Sequence, residues 1–192
     1  MEIQLTQGKV AFIDDEDFHL ISSRKWAYHI DKKNSSNEYA VSSYYEDSKV
    51  KAYRMHRVIL GISNPKILID HIDGNGLNNR RLNLRICTPQ QNCRNHKSKN
   101  KNSNHLFKGV SNVSYKSNSI VKKPFRAHIT IDNRYIHLGC FVTQEEAAKS
   151  YDLNALKYFG DYACLNFKED KMIYLQILDE LAIKRNGVSN NQ

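Results

Sequence analysis

"LIDHIDGNGLNNRRLNLRICTPQQNCRN", residues 68–95, sets an Asp70-His71 pair among asparagines at 75, 78, 79, 83, 92 and 95 and arginines at 80, 81, 85 and 94. Asparagine suits neither a core nor a helix interior, so this density needs a reason other than packing. The β-branched "KILIDHI" before it reads as a short strand. "DGNGLNNRRLN" reads as a loop, because "DG" and "NG" favour tight turns with positive φ. "TPQQNCRN" starts a helix, with Thr88 as N-cap, Pro89 at the first helical position and Gln91 completing a capping box.

Asp70 and His71 are adjacent near the end of a strand, so their side chains point to opposite faces unless the strand ends or bulges there. Asp70 offers a hard oxygen, and the amide oxygen of an asparagine in the following helix offers another. Two such ligands with phosphate oxygens and water suit magnesium or manganese rather than zinc. A neutral imidazole beside them can take a proton from an attacking water, since its pKa lies near working pH. Together these parts describe metal-assisted phosphodiester hydrolysis.

Asp70-His71, the asparagines and arginines above, and the leading "MHRVILG" resemble the HNH nuclease family, in its phage and intron homing endonuclease branch. The likeness covers about 56–95 and implies a ββα-metal unit. It implies His71 as general base and Asn83 as the middle motif residue, bracing the loop and orienting the histidine. It implies Asp70 and Asn92 as ligands of one divalent ion, Mg2+ or Mn2+. Asn92 stands where many relatives have histidine, so the signature here reads H-N-N. Asp73, Gly74, Asn75, Asn78 and Asn79 read as turn formers. Arg80, Arg81, Arg85 and Arg94 read as phosphate contacts, with bracing of the fold an open alternative for Arg85. His56 and Arg57 belong to the pattern, in packing or in DNA contact.

Around this segment, the expected class is α+β. Residues 1–55 form a small N-terminal β region, "KVAFI", "EYAVSSYY" and "KVKAYRMH" being its strands and Trp26, Tyr28 and Tyr39 its core. "MHRVILG" reads as a short helix ended by Gly61. Residues 96–106 lack apolar content and read as a basic linker, with Lys97, Lys99 and Lys101 set to follow a phosphate backbone. In 107–167, "FKGVSNVSY", "PFRAHITID" and "RYIHLGCF" alternate like three antiparallel strands, with a tight turn at 132–133. "TQEEAAKSYDLNALKYFG" follows as a helix, with Thr143 and Glu146 as its capping box and Gly160 as its stop. Ala147, Ala148, Tyr151, Ala155, Leu156 and Phe159 have helical spacing and should pack on the sheet. A last amphipathic helix is expected over about 169–184, within 168–192.

The whole length of 107–167, from "KGV" through "FRAHI" and "IHLGCFVTQEEAAKSYD" to "ACLNF", resembles the plant APETALA/ethylene-response-factor (ERF) DNA-binding domain. That likeness implies a three-stranded sheet packed on one helix and laid in the major groove. Its DNA-facing residues would be Lys108, Ser111, Arg126, His128, Thr130, Arg134 and His137. Plant domains carry more arginine and tryptophan on these strands, and "KSNSIVKK" lengthens the first hairpin. Base specificity therefore does not carry over.

Charge supports a polyanionic partner. The net +9 of the 192 residues is concentrated in 56–103, which carries +7, while 1–55 carries −1 and 104–167 carries +3. The four cysteines, 87, 93, 140 and 164, form no CxxC pair, so free thiols and no structural zinc are expected. No apolar run approaches the ~18–20 residues of a membrane span, and the N-terminus lacks a secretory pattern. A monomer acting on double-stranded DNA in the host-cell cytoplasm or nucleoid, without membrane association or secretion, is the expectation. Two other classes stay open: a non-catalytic DNA-binding transcription regulator that has kept the scaffold, and an RNA-binding or intron-splicing cofactor.

Overall fold

The computed structural model describes residues 1–31, 37–46, 49–95, 106–113 and 122–188. Lys97, Lys99 and Lys101, most of the basic linker and most of the "KSNSIVKK" insertion lie outside the described residues. The architecture is α+β, as expected, and divides into two compact units, Met1–Cys93 and Arg94–Gln192.

In the first unit, β1 (Glu2–Gln4) pairs antiparallel with β2 (Val10–Phe12), and a short helix α1 (Phe18–Ile21) follows. β3 (Ala27–Ile30), β4 (Glu38–Glu46) and β5 (Lys49–Arg54) form an antiparallel sheet in sequence order. A single-turn helix α2 (Met55–Ile59) leads to the ribbon of β6 (Leu68–His71) and β7 (Leu84–Cys87), and then to α3 (Pro89–Asn95). The capping box of α3 is present. Gln91 N donates to Thr88 Oγ1 and Thr88 N to Gln91 Oε1. Gly61 stops α2 with φ +65°, a conformation that a Cβ would strain. β7 has no counterpart among the strands read from the residues themselves; it entered only through the ββα resemblance.

One core serves this whole unit. Ala11, Ile13, Ile21, Trp26, Tyr28 and Ala40 from residues 1–54 pack with Met55, Ile59, Leu77 and Leu84. Trp26 satisfies its indole N–H on Ile21 O at 2.9 Å. Tyr39, also expected in this core, is only half-buried.

In the second unit, β8 (Val110–Asn112), β9 (Phe125–Ile131) and β10 (Arg134–Phe141) form an antiparallel sheet with β9 central. The β9–β10 turn places Asp132 and Asn133 at φ 48° and 63°, the left-handed pair that a two-residue hairpin needs. α4 (Gln144–Phe159) opens on the Thr143–Glu146 capping box. It buries Ala147, Ala148, Tyr151, Ala155, Leu156 and Phe159, the expected stripe. Asp152 is also fully buried there. Its carboxylate accepts from Asn166 N, Asn166 Nδ2 and Phe167 N at 2.9, 3.0 and 2.8 Å, tying the segment after α4 back to the helix. α5 (Lys171–Val188) runs several residues past the expected end, and none of the described helices is long and apolar enough to cross a membrane.

Candidate active site

The β6–β7 ribbon and the loop joining its strands, residues 72–83, carry the candidate site. Asp70 and His71 are the last two residues of β6, and both are buried. Asp70 lies opposite Arg85 in register, and its Oδ2 accepts from Arg85 Nε at 2.9 Å and Nη2 at 2.6 Å. His71 meets Asn79 through Nε2, 3.3 Å from Oδ1. The His56 ring packs edge-on against it, centroids 5.1 Å apart, with the Tyr39 ring at 6.3 Å.

Burial sets the electrostatics of both imidazoles. It lowers the His71 pKa below its ordinary value near 6.5, against opposition from the Asn79 bond and the Asp73 and Asp70 charges. His56 is pushed down to about 3, by burial first and then by His71, Arg54 and Arg57. Both rings are therefore neutral at physiological pH.

The loop asparagines divide by role. Asn83 Nδ2 donates to Asp73 Oδ1 at 3.0 Å and to Asn78 O at 2.7 Å, while its Oδ1 accepts from Asp73 N at 3.0 Å. Its carbonyl also accepts from Ile72 N, directly after the histidine, at 2.9 Å. Asn75 N donates to Asp73 Oδ1 and Leu77 N to Asn75 Oδ1, two successive Asx turns. Asn78 Nδ2 donates to Asp73 Oδ2. Burial works to raise the Asp73 pKa, but the bonds from Asn78, Asn75 and Asn83 outweigh it and hold the carboxyl ionised.

Residues 1–59 clasp the same loop. Phe12 N donates to Leu77 O and Asn79 N to Phe12 O, at 2.9 and 2.7 Å. Arg81 makes a bidentate pair with the buried Asp17, its Nε and Nη2 lying 2.9 and 2.7 Å from Oδ1, and its backbone N–H donates to Asp14 Oδ2. Gly76 has no room for a side chain. A Cβ there would stand 1.9 Å from Glu38 O.

The predicted residues fall into distinct settings. Arg81 and Arg85 are engaged with carboxylates; Arg80 is exposed, 5.8 Å from the centroid of the Phe12 ring; Arg94 is half-buried on α3. Asn92 lies on α3, half-buried, its backbone N–H donating to Thr88 O. In the second unit, Ser111, Arg126, His128, Thr130 and His137 alternate with buried Val110, Ala127 and Ile129 and half-buried Ile136, so they share the face of the sheet turned away from α4. Arg134 is exposed at the start of β10, and Lys108 is half-buried, its backbone N–H donating to Asn166 Oδ1. Tyr135 was not singled out in the sequence. It is exposed on the same face and stacks on His128 at 5.0 Å, and its oxygen accepts a hydrogen bond from Arg126 that raises the guanidinium pKa further. All four cysteines are free thiols.

Asp70 offers a carboxylate oxygen and Asn92 an amide oxygen, donors of the kind a hard divalent cation takes; among the described residues no group of three His, Cys, Asp or Glu side chains could hold a metal ion.

No protein-family profile matches the chain. It is 35% identical over 162 residues to an uncharacterized HNH endonuclease of Acanthamoeba polyphaga mimivirus, a match covering 83% of this chain and 76% of that protein. It is 42% identical over 45 residues to an AP2-like ethylene-responsive transcription factor of Arabidopsis thaliana, covering 23% of this chain and 13% of that protein. A solved structure described as "DNA binding and cleavage by the HNH homing endonuclease I-HmuI" shares 25% identity at a TM-score of 0.28. That match covers 48% of this chain and about half, 49%, of the solved chain.

Proposed function

The chain belongs to the HNH endonuclease family, and from that premise we propose that it hydrolyses phosphodiester bonds of duplex DNA as a site-specific homing endonuclease. The observation that carries this reading is the pairing at the end of β6: a buried imidazole, its pKa lowered by burial, next in sequence to a buried carboxylate.

In this reading His71 is the general base. It accepts a proton from water as the water oxygen bonds to phosphorus and the P–O bond to the leaving oxygen breaks. Neutrality suits that task, since an imidazolium has no lone pair to offer. Asn83 braces the loop that begins at the histidine. Asp70 and Asn92 would hold one Mg2+ or Mn2+, which when bound supplies charge stabilisation at the phosphate and leaving oxygen. Asp70 has a second task, as the partner of Arg85.

The solvent face of the β8–β9–β10 sheet, bearing Ser111, Arg126, His128, Thr130 and His137, positions the enzyme on its target. The short match to a plant transcription factor supports this assignment. Exposed Arg80, together with Lys97, Lys99 and Lys101, supplies sequence-independent phosphate contacts. A supercoiled-plasmid assay with Mg2+ or Mn2+ tests the reading. Relaxed or linear product is expected from the wild type, and DNA binding without cleavage under every metal condition would overturn it.

A further inference from the structure

We propose that Asn79 is the positioning residue of His71: its amide oxygen holds the imidazole with the proton on Nε2 and so makes Nδ1 the proton-accepting atom. The catalytic consequence rests on the nuclease reading above; the tautomer does not.

Asn79 lies in the loop that otherwise reads as turn chemistry, yet it is 0% exposed. Its amide orientation is set at the other end. Nδ2 donates to Leu77 O at 3.1 Å and faces Met55 Sδ at 3.5 Å. A carbonyl oxygen only accepts, so the amide nitrogen must face Leu77 and the amide oxygen must face His71. Oδ1 lies 3.3 Å from Nε2, and an amide oxygen has no proton to give. Nε2 therefore carries the hydrogen, and the lone pair belongs to Nδ1.

Two further contacts hold this geometry. The Asn79 backbone is anchored by its N–H on Phe12 O at 2.7 Å. The His56 ring packs edge-on against the imidazole. A flipped imidazole would turn a carbon toward Oδ1 and lose the bond.

During hydrolysis a proton passes from the attacking water to Nδ1, and the imidazole becomes an imidazolium with an N–H at each nitrogen. The Nε2–H···Oδ1 bond then becomes charge-assisted and strengthens as the cation forms. Asn79 thus favours the protonated base in the transition state without touching substrate.

Long-range 1H–15N correlation spectra of the full chain, labelled at histidine nitrogens, report the tautomer directly. Loss of one resonance pair in His71→Gln assigns the signals. The wild type is expected to show the Nε2–H form of His71. Asn79→Asp, which keeps an acceptor, should retain that form; Asn79→Leu should lose it. DNA cleavage by Asn79→Leu should fall by about 10- to 100-fold, with DNA affinity within about twofold.

An Nδ1–H form in the wild type overturns the proposal, whether or not the variants fold. So does a folded Asn79→Leu protein with unchanged tautomer and rate. An Nε2–H wild type that binds DNA and cleaves none supports the geometry and overturns the nuclease reading.

Discussion

Arg85 donates two hydrogen bonds to Oδ2 of Asp70, its direct cross-strand neighbour, at 2.9 and 2.6 Å, with both side chains largely buried. Breaking a buried pair from one side leaves an uncompensated charge, at a cost of about 3–5 kcal/mol. Arg85→Met should therefore lower unfolding stability by roughly that amount in urea titrations. A loss below about 1 kcal/mol, the scale of an exposed pair, would leave Arg85 available as a phosphate contact instead.

Stability should also depend on pH through His56. Its pKa is near 6.5 when unfolded and about 3 when folded. Between those values the unfolded state binds more protons, so stability is full above about pH 6.5 and declines as pH falls toward 3. The slope from this group is at most about 1.4 kcal/mol per pH unit. His56→Gln should flatten the decline between pH 6.5 and 4, whatever its effect at neutral pH. Parallel stability curves for the two proteins would show that His56 does not carry it.

The close approach of Glu38 O to Gly76 predicts a cost for a single methyl group. Gly76→Ala must displace a strand backbone rather than a flexible side chain. It should destabilise the first unit by about 1–3 kcal/mol. Gly74→Ala makes a control, because nothing lies within 4 Å of a Cβ there and only its φ of +78° opposes substitution. A Gly76→Ala protein as stable as wild type would mean that the loop is not clasped at this point.

On the second unit, Arg126 occupies the outward face of the sheet beside Tyr135. If that face meets DNA, Arg126→Ala should weaken duplex binding and reduce the slope of log K against log salt by about one. Unchanged affinity and unchanged salt slope would remove the face from the interface.

What was legible in the sequence was local. The Thr143 and Thr88 caps, the 132–133 turn, the Gly61 and Gly160 stops and the α4 stripe each depend on residues a few positions apart. The outward residues of β9, Arg126, His128 and Thr130, came from the ERF resemblance, and the alternation of the strand agrees with them. The Asp70-His71 pair and Asn83 were legible as a motif. Asn79 stands in the same motif but reads there as a turn former, because its burial depends on Phe12 and Met55, far away in the chain. The partner of Arg81 was hidden for the same reason: Asp17 is 64 residues from it, and nothing in "NNRRLNLR" indicates it. β7 was obscured by composition, since Ile86 is exposed and Leu84 is its only buried large aliphatic residue.

If His71 is the base of a DNA-cleaving site, losing its imidazole must slow cleavage without releasing DNA. The most direct test is supercoiled-plasmid cleavage in Mg2+ or Mn2+, with wild type beside His71→Ala at matched DNA occupancy. Losing a general base predicts a rate about 100- to 10,000-fold lower in the variant, with DNA binding retained. Equal cleavage rates for the two proteins would mean that His71 is not the base.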